Sequence, residues 1–420
     1  MSTDWNLIEL PDLGVLRFRG ADAVRFLQGQ VSNDVARLTS EHAQFAGYHN
    51  PQGRTIALLR LVRFEPEDVL AILPRELVAT VAGRLAKFVL RAKVKITDES
   101  TSWRVVGLVA PHAAMAEGDG AGSVTSADVR AAAGAAGSAS ASAAGGSTNG
   151  DQENADIAAA FAARAASWAA AQFEQARAVA ETSGELSSAA AQLEESESVV
   201  PLPTASALML PEAVHSQSRS GGNVIVRVGA APARWLVISP VGEAVPLSGC
   251  VAAGRDAWRL LDIADGEAQV YAATSEEFVA QMLNLDALDA IAFDKGCYTG
   301  QEVIARAHYR GRVKRRLQRF RSRGPVRLAA GESGTLADGR AFKVVDAVQL
   351  GDGRCEFLAV APSGVPGGVP DGASVSGELG AGSQGGKGDG SGGAEATAGA
   401  TRSAAVIDAE VLPMAYPLPE

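Results

Sequence analysis

The stretch Lys295-Gly296-Cys297-Tyr298-Thr299-Gly300-Gln301-Glu302 sets a thiol, an ammonium, two glycines, a side-chain amide and a carboxylate within eight residues. Gly296 lets the backbone turn tightly and expose the sulfur. Lys295 supplies a positive neighbour and Arg306 a second, and such neighbours raise the thiolate fraction of a cysteine. A thiolate here can serve as nucleophile, redox thiol or soft metal ligand. The alternative is a buried, inert cysteine, against which the polar, glycine-rich flanks speak. Gln301 and Glu302 can orient a ligand carrying amino and ring N–H groups; otherwise Glu302 is solvated or pairs with Arg306.

A basic segment comes next, with nine Lys and Arg between Arg306 and Arg323 in a chain of net charge −10. The stretch 303–320 alternates in part and reads as a strand pair around Arg310-Gly311. That places Arg310, Arg312, Lys314 and Arg316 on one face. Such a face suits anions: RNA phosphates, a polycarboxylate tail or an acidic protein surface. No RNA-binding fold signature accompanies it, so RNA is at most a weak contact.

Outward from there, the chain reads as α+β. Residues 6–20 form a strand or hairpin and 21–27 a short helix. Asn33 and Asp34 cap the next segment or reach into a site. The turn His49-Asn50-Pro51-Gln52-Gly53-Arg54 delivers Arg54 to a strand at 55–62. A second strand covers 69–73, a helix 74–88, and further strands 89–96 and 103–109. After Asn223, strands recur at 223–228 and 234–238. The apolar run with Trp258 lies beyond them, and a helix is expected over 276–285. Past the motif, short strands with Gly turns predict a small β-barrel, closed by a returning strand over 405–419. The expected organisation is 1–110 and 223–305 as two α+β parts and 306–420 as the barrel. Two Ala-, Gly- and Ser-rich inserts, 111–222 and 363–403, are expected to be disordered, with an Ala-rich helix over 154–180.

The negative net charge disfavours nucleic acid or anionic membrane as a partner of the whole chain. Residues 1–10 have neither a basic region nor an apolar core, and no run of about 18 apolar residues occurs. A soluble, cytoplasmic protein without membrane contact is expected. Three dispersed cysteines, Cys250, Cys297 and Cys355, form neither a disulfide framework nor a C-x-x-C pair, so no private metal site is expected.

The motif, its extension Val303-Ile304-Ala305-Arg306-Ala307 and Arg310-Gly311 with Lys314-Arg315 resemble the YgfZ family. These are folate-binding proteins of the T-protein (aminomethyltransferase-like) superfamily, linked to iron–sulfur enzyme maintenance and tRNA modification. Phe26-Leu27-Gln28-Gly29-Gln30-Val31, Pro51-Gln52-Gly53-Arg54 and Gln281-Met282-Leu283-Asn284-Leu285 support the resemblance. It implies a T-protein-like folate-binding fold with ferredoxin-like halves and a C-terminal small β-barrel. It implies Cys297 and Lys295 as the functional thiol and lysine, and tetrahydrofolate or another folate in a central opening near Trp258. Gly296, Gly300, Gln301, Glu302 and Arg306 border that site. The family's second aromatic corresponds to Leu13. Its Ile-Glu-Ala-Gly segment corresponds to Ile263-Ala264-Asp265-Gly266, so a pterin-binding carboxylate is absent or supplied by Asp265. The implied role is an accessory factor of iron–sulfur cluster assembly or repair, with iron–sulfur proteins as partners. Aminomethyltransferase-type one-carbon transfer and a tRNA-binding module are the alternatives.

Overall fold

The computed structural model describes residues 5–110, 208–243, 245, 250–311, 313–363 and 406–418. The expected helix at 154–180 and the second insert lie outside these residues. Of the first insert, the end is ordered: the chain re-enters at 208, and a strand forms at Gln217–Ser220, six residues before the expected restart at Asn223.

Three sheets carry the fold. The first holds β1 (Trp5–Glu9), β7 (Trp103–Val109), β8 (Gln217–Ser220), β9 (Asn223–Gly229), β10 (Arg234–Pro240) and β11 (Cys250–Ala252), in the order β11-β1-β7-β10-β9-β8. The second holds β2 (Leu13–Arg19), β3 (Gln44–His49), β4 (Thr55–Glu65), β5 (Asp68–Pro74) and β6 (Lys95–Asp98), in the order β3-β4-β5-β2-β6. Strands from both sides of the first insert therefore share one sheet. Residues 6–20 do not make a hairpin. At Pro11-Asp12 the chain leaves one sheet for the other, and Leu10 N–H donates to Val105 O (3.1 Å) before the turn.

β10 shows why the sheets pack as they do. Its alternate residues serve two cores: Leu236 and Ile238 join an apolar cluster with Val15, Leu70 and Trp258, while Trp235 and Val237 join another with Val106 and Leu208. Side chains alternate faces along a strand, so an uninterrupted apolar run is satisfied only when both faces are covered. Helix α1 (Ala23–Gln28) buries Phe26 and Leu27, and α2 (Arg75–Val89) buries Leu77, Val78, Val81 and Leu85. The expected strand at 89–96 begins only at Lys95, because α2 runs on to Val89. Helix α3 (Arg255–Asp265) buries Trp258, Leu260 and Leu261 and ends at Gly266, whose φ of 68° is the left-handed cap that glycine adopts without strain.

The third sheet holds β12 (Arg315–Ser322), β13 (Ser333–Leu336), β14 (Ala341–Gln349), β15 (Cys355–Pro362), β16 (Val406–Ile407) and β17 (Ala409–Leu412), in the order β16-β13-β14-β15-β12-β17. Its two edge strands are separated in sequence by Asp408 alone. A sheet whose opposite edges lie one residue apart must curl almost shut, which gives the expected barrel. The returning strand is thus two short strands at opposite edges. Glu356, fully buried, accepts from Arg319 Nε at 2.8 Å and from Arg321 Nε and Nη2 at 3.3 Å. Burial pushes its pKa up against the pull of Arg319 and Arg321.

Two expected elements are corrected. The helix expected over 276–285 shrinks to a 3₁₀ turn at Ala280–Leu283, because Glu276 and Asn284 sit at positive φ (64° and 56°). Glu276 is held out of helical geometry by Arg84 and by Asn50 Nδ2 (2.8 Å), and its N–H donates to Thr55 O at 2.8 Å. The strand pair expected over 303–320 is instead helix α4 (Gln301–Arg310) with β12 after it. Glu302 in its first turn and His308 and Arg310 in its last complement the helix dipole.

Glu356→Gln removes the carboxylate that Arg319 and Arg321 share inside the barrel. We expect a loss of about 3–5 kcal/mol in urea denaturation; a change under about 1 kcal/mol contradicts this account of the barrel core.

Candidate functional site

The motif begins with a clamp. Lys295 Nζ donates to three backbone carbonyls of one loop, Gln28 O (2.7 Å), Val31 O (2.7 Å) and Asn33 O (2.8 Å). Burial pushes the Lys295 pKa down to about 8, with Asp34 opposing. At neutral pH the group is therefore still an ammonium, the only form with three N–H donors for three acceptors. Lys295 thus spends its hydrogen bonds on architecture. The loop it grips is braced from within: Asp34 caps the 3₁₀ turn Val35–Arg37, and Asn33 Nδ2 donates to Phe45 O (2.8 Å) and Asp289 O (2.7 Å).

A second crossing lies just beyond. Gly300 has φ 85°, and a Cβ there would stand 2.6 Å from Asn50 O and 3.0 Å from the Gly53 Cα. Two glycine turns, 50–54 and 296–300, thus meet backbone to backbone at the N-terminus of α4. Asn50 Oδ1 accepts from the N–H groups of Gln52 and Arg54 (3.0 Å each), and Arg54 Nη1 donates to Glu277 O at 2.7 Å. Tyr298 is buried, its ring 6.4 Å from that of His49. Gln281 Nε2 donates to Ile304 O at 2.6 Å, tying α4 to the 3₁₀ turn.

Among these anchors Cys297 is exposed. Gln301 Nε2 reaches Lys295 O at 3.4 Å, and Glu302 pairs with Arg306 at 2.7 Å, one helical turn away on an exposed face.

Part of the basic segment is spent inside the protein. Arg316 donates to Asp286 Oδ1 (3.0 Å) and Oδ2 (2.9 Å) and to Gln281 O (3.2 Å). Arg319 and Arg321 serve Glu356, and Arg323 pairs with Asp408 at 3.3 Å. Arg310 lies on a helix and Arg316 on a strand, so the shared strand face does not form.

Trp258 belongs to a separate place, a central cavity between the first two sheets and α3. The enclosed part of the cavity is small, about 50 Å³, and it opens to solvent. Leu13, Phe45, Arg60, Trp258, Asp262, Glu267 and Tyr271 are among its lining. Trp258 packs its ring over Gly107, where any side chain would clash, and 4.9 Å from the Arg234 guanidinium. Arg234, fully buried, holds Asp262 at 2.5 Å and Asp265 at 2.7 Å. Asp265 is not in the cavity lining, whose carboxylates are Asp12, Asp262 and Glu267. Burial pushes the Asp262 pKa up, against Arg234. Burial also works on Glu267, but Arg60 and Arg234 outweigh it and hold its pKa down. Three buried polar atoms of lining residues lack a hydrogen-bond partner: Asp12 Oδ1, Arg60 Nη1 and Arg259 Nε.

Gly296, Cys297, Gly300, Gln301, Glu302 and Arg306 are not in the cavity lining. The link is the clamped loop: Lys295 fixes Asn33, whose amide fixes Phe45 in the wall. The barrel contributes as well. A bulge between Val344 and Asp346 turns Asp346 toward the lining residues Arg259 and Tyr271, whose hydroxyl donates at 3.0 Å. Arg60, Glu267 and Asp346 were invisible as site residues in the sequence, since no motif surrounds them. Among the described residues no cluster of His, Cys, Asp or Glu is disposed to hold a metal, and no helix is long and apolar enough to cross a membrane.

No protein-family model matches the chain. It is similar to the tRNA-modifying protein YgfZ of Yersinia pestis (strain Pestoides F), 35% identical over 161 residues, 36% of this chain and 48% of the relative. The protein of that name from Serratia proteamaculans (strain 568) is 35% identical over 153 residues, 34% of this chain and 46% of the relative. The chain is thus similar to YgfZ proteins over about a third of its length. It spans about half the length of the curated YgfZ relatives it matches. Among solved structures, the glycine cleavage system aminomethyltransferase T of Bartonella henselae superposes with a TM-score of 0.51 at 12% identity, covering 86% of this chain and 79% of that one. The chain thus has an aminomethyltransferase-like fold.

Substitution tests both the clamp and the buried histidines. Lys295→Met costs about 3 kcal/mol in chemical denaturation and speeds amide exchange across 28–34; Lys295→Arg does not restore it, because a planar fork cannot meet three converging carbonyls. Burial holds His49 at about 3 and His215 at about 4. Both lie below the unfolded value, so their stabilisation is complete above about pH 6.5 and lost as pH falls toward 3–4. His49→Gln should flatten the acid limb by up to about 1.4 kcal/mol per pH unit; an unchanged slope contradicts the assignment.

Proposed function

We propose that this chain is a folate-binding accessory protein of iron–sulfur cluster assembly or repair. It supports iron–sulfur enzymes, tRNA-modifying ones among them, acts in the cytoplasm, and uses Cys297 as its reactive thiol. The observation that carries the folate reading is that three residues lining the Trp258 cavity each keep a buried polar atom without a partner: Asp12 Oδ1, Arg60 Nη1 and Arg259 Nε. Buried polar atoms without partners are costly, and a polar ligand satisfies them. An ionised Glu267 accepts from the amino and ring N–H groups of a pterin. Asp262, its pKa raised, donates to a ring carbonyl when protonated. Trp258 supplies an apolar wall, and Arg255 and Arg259 offer charge to a carboxylate tail. Tetrahydrofolate, when bound, supplies a one-carbon carrier.

Cys297 works outside that cavity. It is exposed, whereas burial pushes Cys355 up to about 12 and raises Cys250 as well. A macromolecular partner therefore reaches Cys297 first. The surface beyond it suits RNA better than the sequence suggested. Tyr309 is 68% exposed, His308 stacks on Phe293 with centroids 3.8 Å apart, and Arg310, Lys314 and Arg315 are exposed nearby in the chain. Aromatic faces interleaved with cations hold unpaired bases and their phosphates. A contact with tRNA at α4 is consistent with the name of the relatives.

Titration of the full chain with tetrahydrofolate, monitored by calorimetry, tests the folate reading. We expect Trp258→Ala and Glu267→Gln to weaken binding at least about tenfold, or 1.4 kcal/mol, and Cys297→Ala to leave it intact. In the same samples Cys297→Ala removes the one fast-reacting thiol seen with an aromatic disulfide reagent. No saturable tetrahydrofolate binding at millimolar concentration overturns the proposal.

A further inference from the structure

Among the described residues, cations without an ion-pair partner are not confined to the segment after the motif. Between Arg306 and Arg323 the arginines at 306, 316, 319, 321 and 323 are engaged by carboxylates of this chain. Arg25, Lys87, Arg91, Lys93 and Lys95 are all exposed, and none makes an ion pair or side-chain hydrogen bond among the described residues. Four of them fall within nine consecutive residues, at the end of α2 and the start of β6. The fifth faces them from α1 across a surface groove lined by Asp22, Arg25, Phe26, Gln30, Arg91 and Ala92.

Two further features mark this place. Phe88 is 50% and Leu90 88% exposed. Leu90 caps α2 at φ 42°, a left-handed conformation that leucine rarely adopts, so an apolar side chain is held out into water by strained backbone. Gln30 lines the groove, and its buried Oε1 has no hydrogen-bond partner among the described residues.

We infer that this groove and the Phe88–Leu90 knob form a docking site for an acidic protein segment that carries apolar side chains. Unpaired cations on a chain of net charge −10 call for carboxylates. Phe88 and Leu90 call for an apolar partner that excludes water. Gln30, a lining residue of the groove, offers a side-chain amide to a peptide backbone seated there. A lipid surface has nothing to fill the groove in that way. An RNA strand leaves Leu90 without an apolar partner. The site also adjoins the motif mechanically, because Gln30 lies in the loop whose carbonyls at Gln28, Val31 and Asn33 Lys295 grips. A partner seated here leans on the outer side of the clamped loop.

Fluorescence anisotropy of a labelled peptide alternating glutamate and leucine, titrated with the full chain, tests the site. Binding that weakens at least about tenfold in Arg25→Glu/Arg91→Glu and in Phe88→Ser/Leu90→Ser supports it. So does a several-fold loss in Gln30→Leu, with Arg25→Lys/Arg91→Lys close to wild type. All these side chains but Gln30 are exposed, and unchanged thermal unfolding verifies the fold of each variant. The inference is overturned by equal affinity in wild type and variants, by equal binding of a lysine–leucine peptide, or by no peptide binding. It is also overturned if polyuridylate or phosphatidylserine vesicles, rather than the peptide, bind in a way these substitutions abolish.

Discussion

One ammonium holding three carbonyls organises this protein. Lys295 lies far in sequence from Gln28, Val31 and Asn33, yet its three donors close on their three acceptors within 2.7–2.8 Å. Those carbonyls lie at the C-terminal end of α1 and in the turn after it. Without the lysine they would be buried at a cost of about 1–3 kcal/mol each. The clamp joins the motif to the second sheet, sets Asn33 against Phe45, and so fixes one wall of the central cavity. It also leaves the neighbouring Cys297 outside, on a surface that a macromolecule can reach.

The cavity itself rests on unequal carboxylates. Arg234 is buried between Asp262 and Asp265, and Arg60 is buried beside Glu267. Burial favours the neutral form of every acid there, while the arginines favour the charged one. Glu267, flanked by two guanidiniums, ends as a carboxylate; at Asp262 burial outweighs the pull of Arg234. Two acids of similar chemistry thus present an acceptor and a potential donor to the same space. The barrel reaches this site through a single bulge, which turns Asp346 onto Arg259 and Tyr271. The third sheet is therefore part of the site's scaffold rather than an appendage.

Much of this was legible residue by residue. The strands at 103–109, 223–228 and 234–238 come from apolar runs bounded by turn residues, and α2 comes from apolar spacing. The exposed thiol matches its glycine-rich, polar setting. The misread elements share a cause. Over 303–320 a helix and a strand were merged because cations at alternate positions suggest a strand face, while Glu302 with Arg306, one helical turn apart, signalled a helix. Over 276–285 helical spacing was present, but Arg84 and Asn50 pull Glu276 into a left-handed conformation that no local pattern announces. The two charged surfaces were exchanged for a similar reason. A count of cations cannot tell that five arginines near the motif pair with carboxylates of the same chain, nor that the shorter run at 87–95 makes no ion pair among the described residues.

What the sequence determined by itself was local: turn glycines, strand and helix tendencies, the acidic balance of the chain, and a motif dense enough to mark a functional segment. Those depend on neighbours a few residues away. Tertiary structure alone decided that Lys295 is a clamp, that Asp265 is held by Arg234 while Glu267 lines the cavity, and that Trp258 and Cys297 occupy different places. Each of these turns on which distant charge or carbonyl a buried polar group meets. In a medium where leaving such a group unmet costs kilocalories, that meeting and not the residue type sets its role.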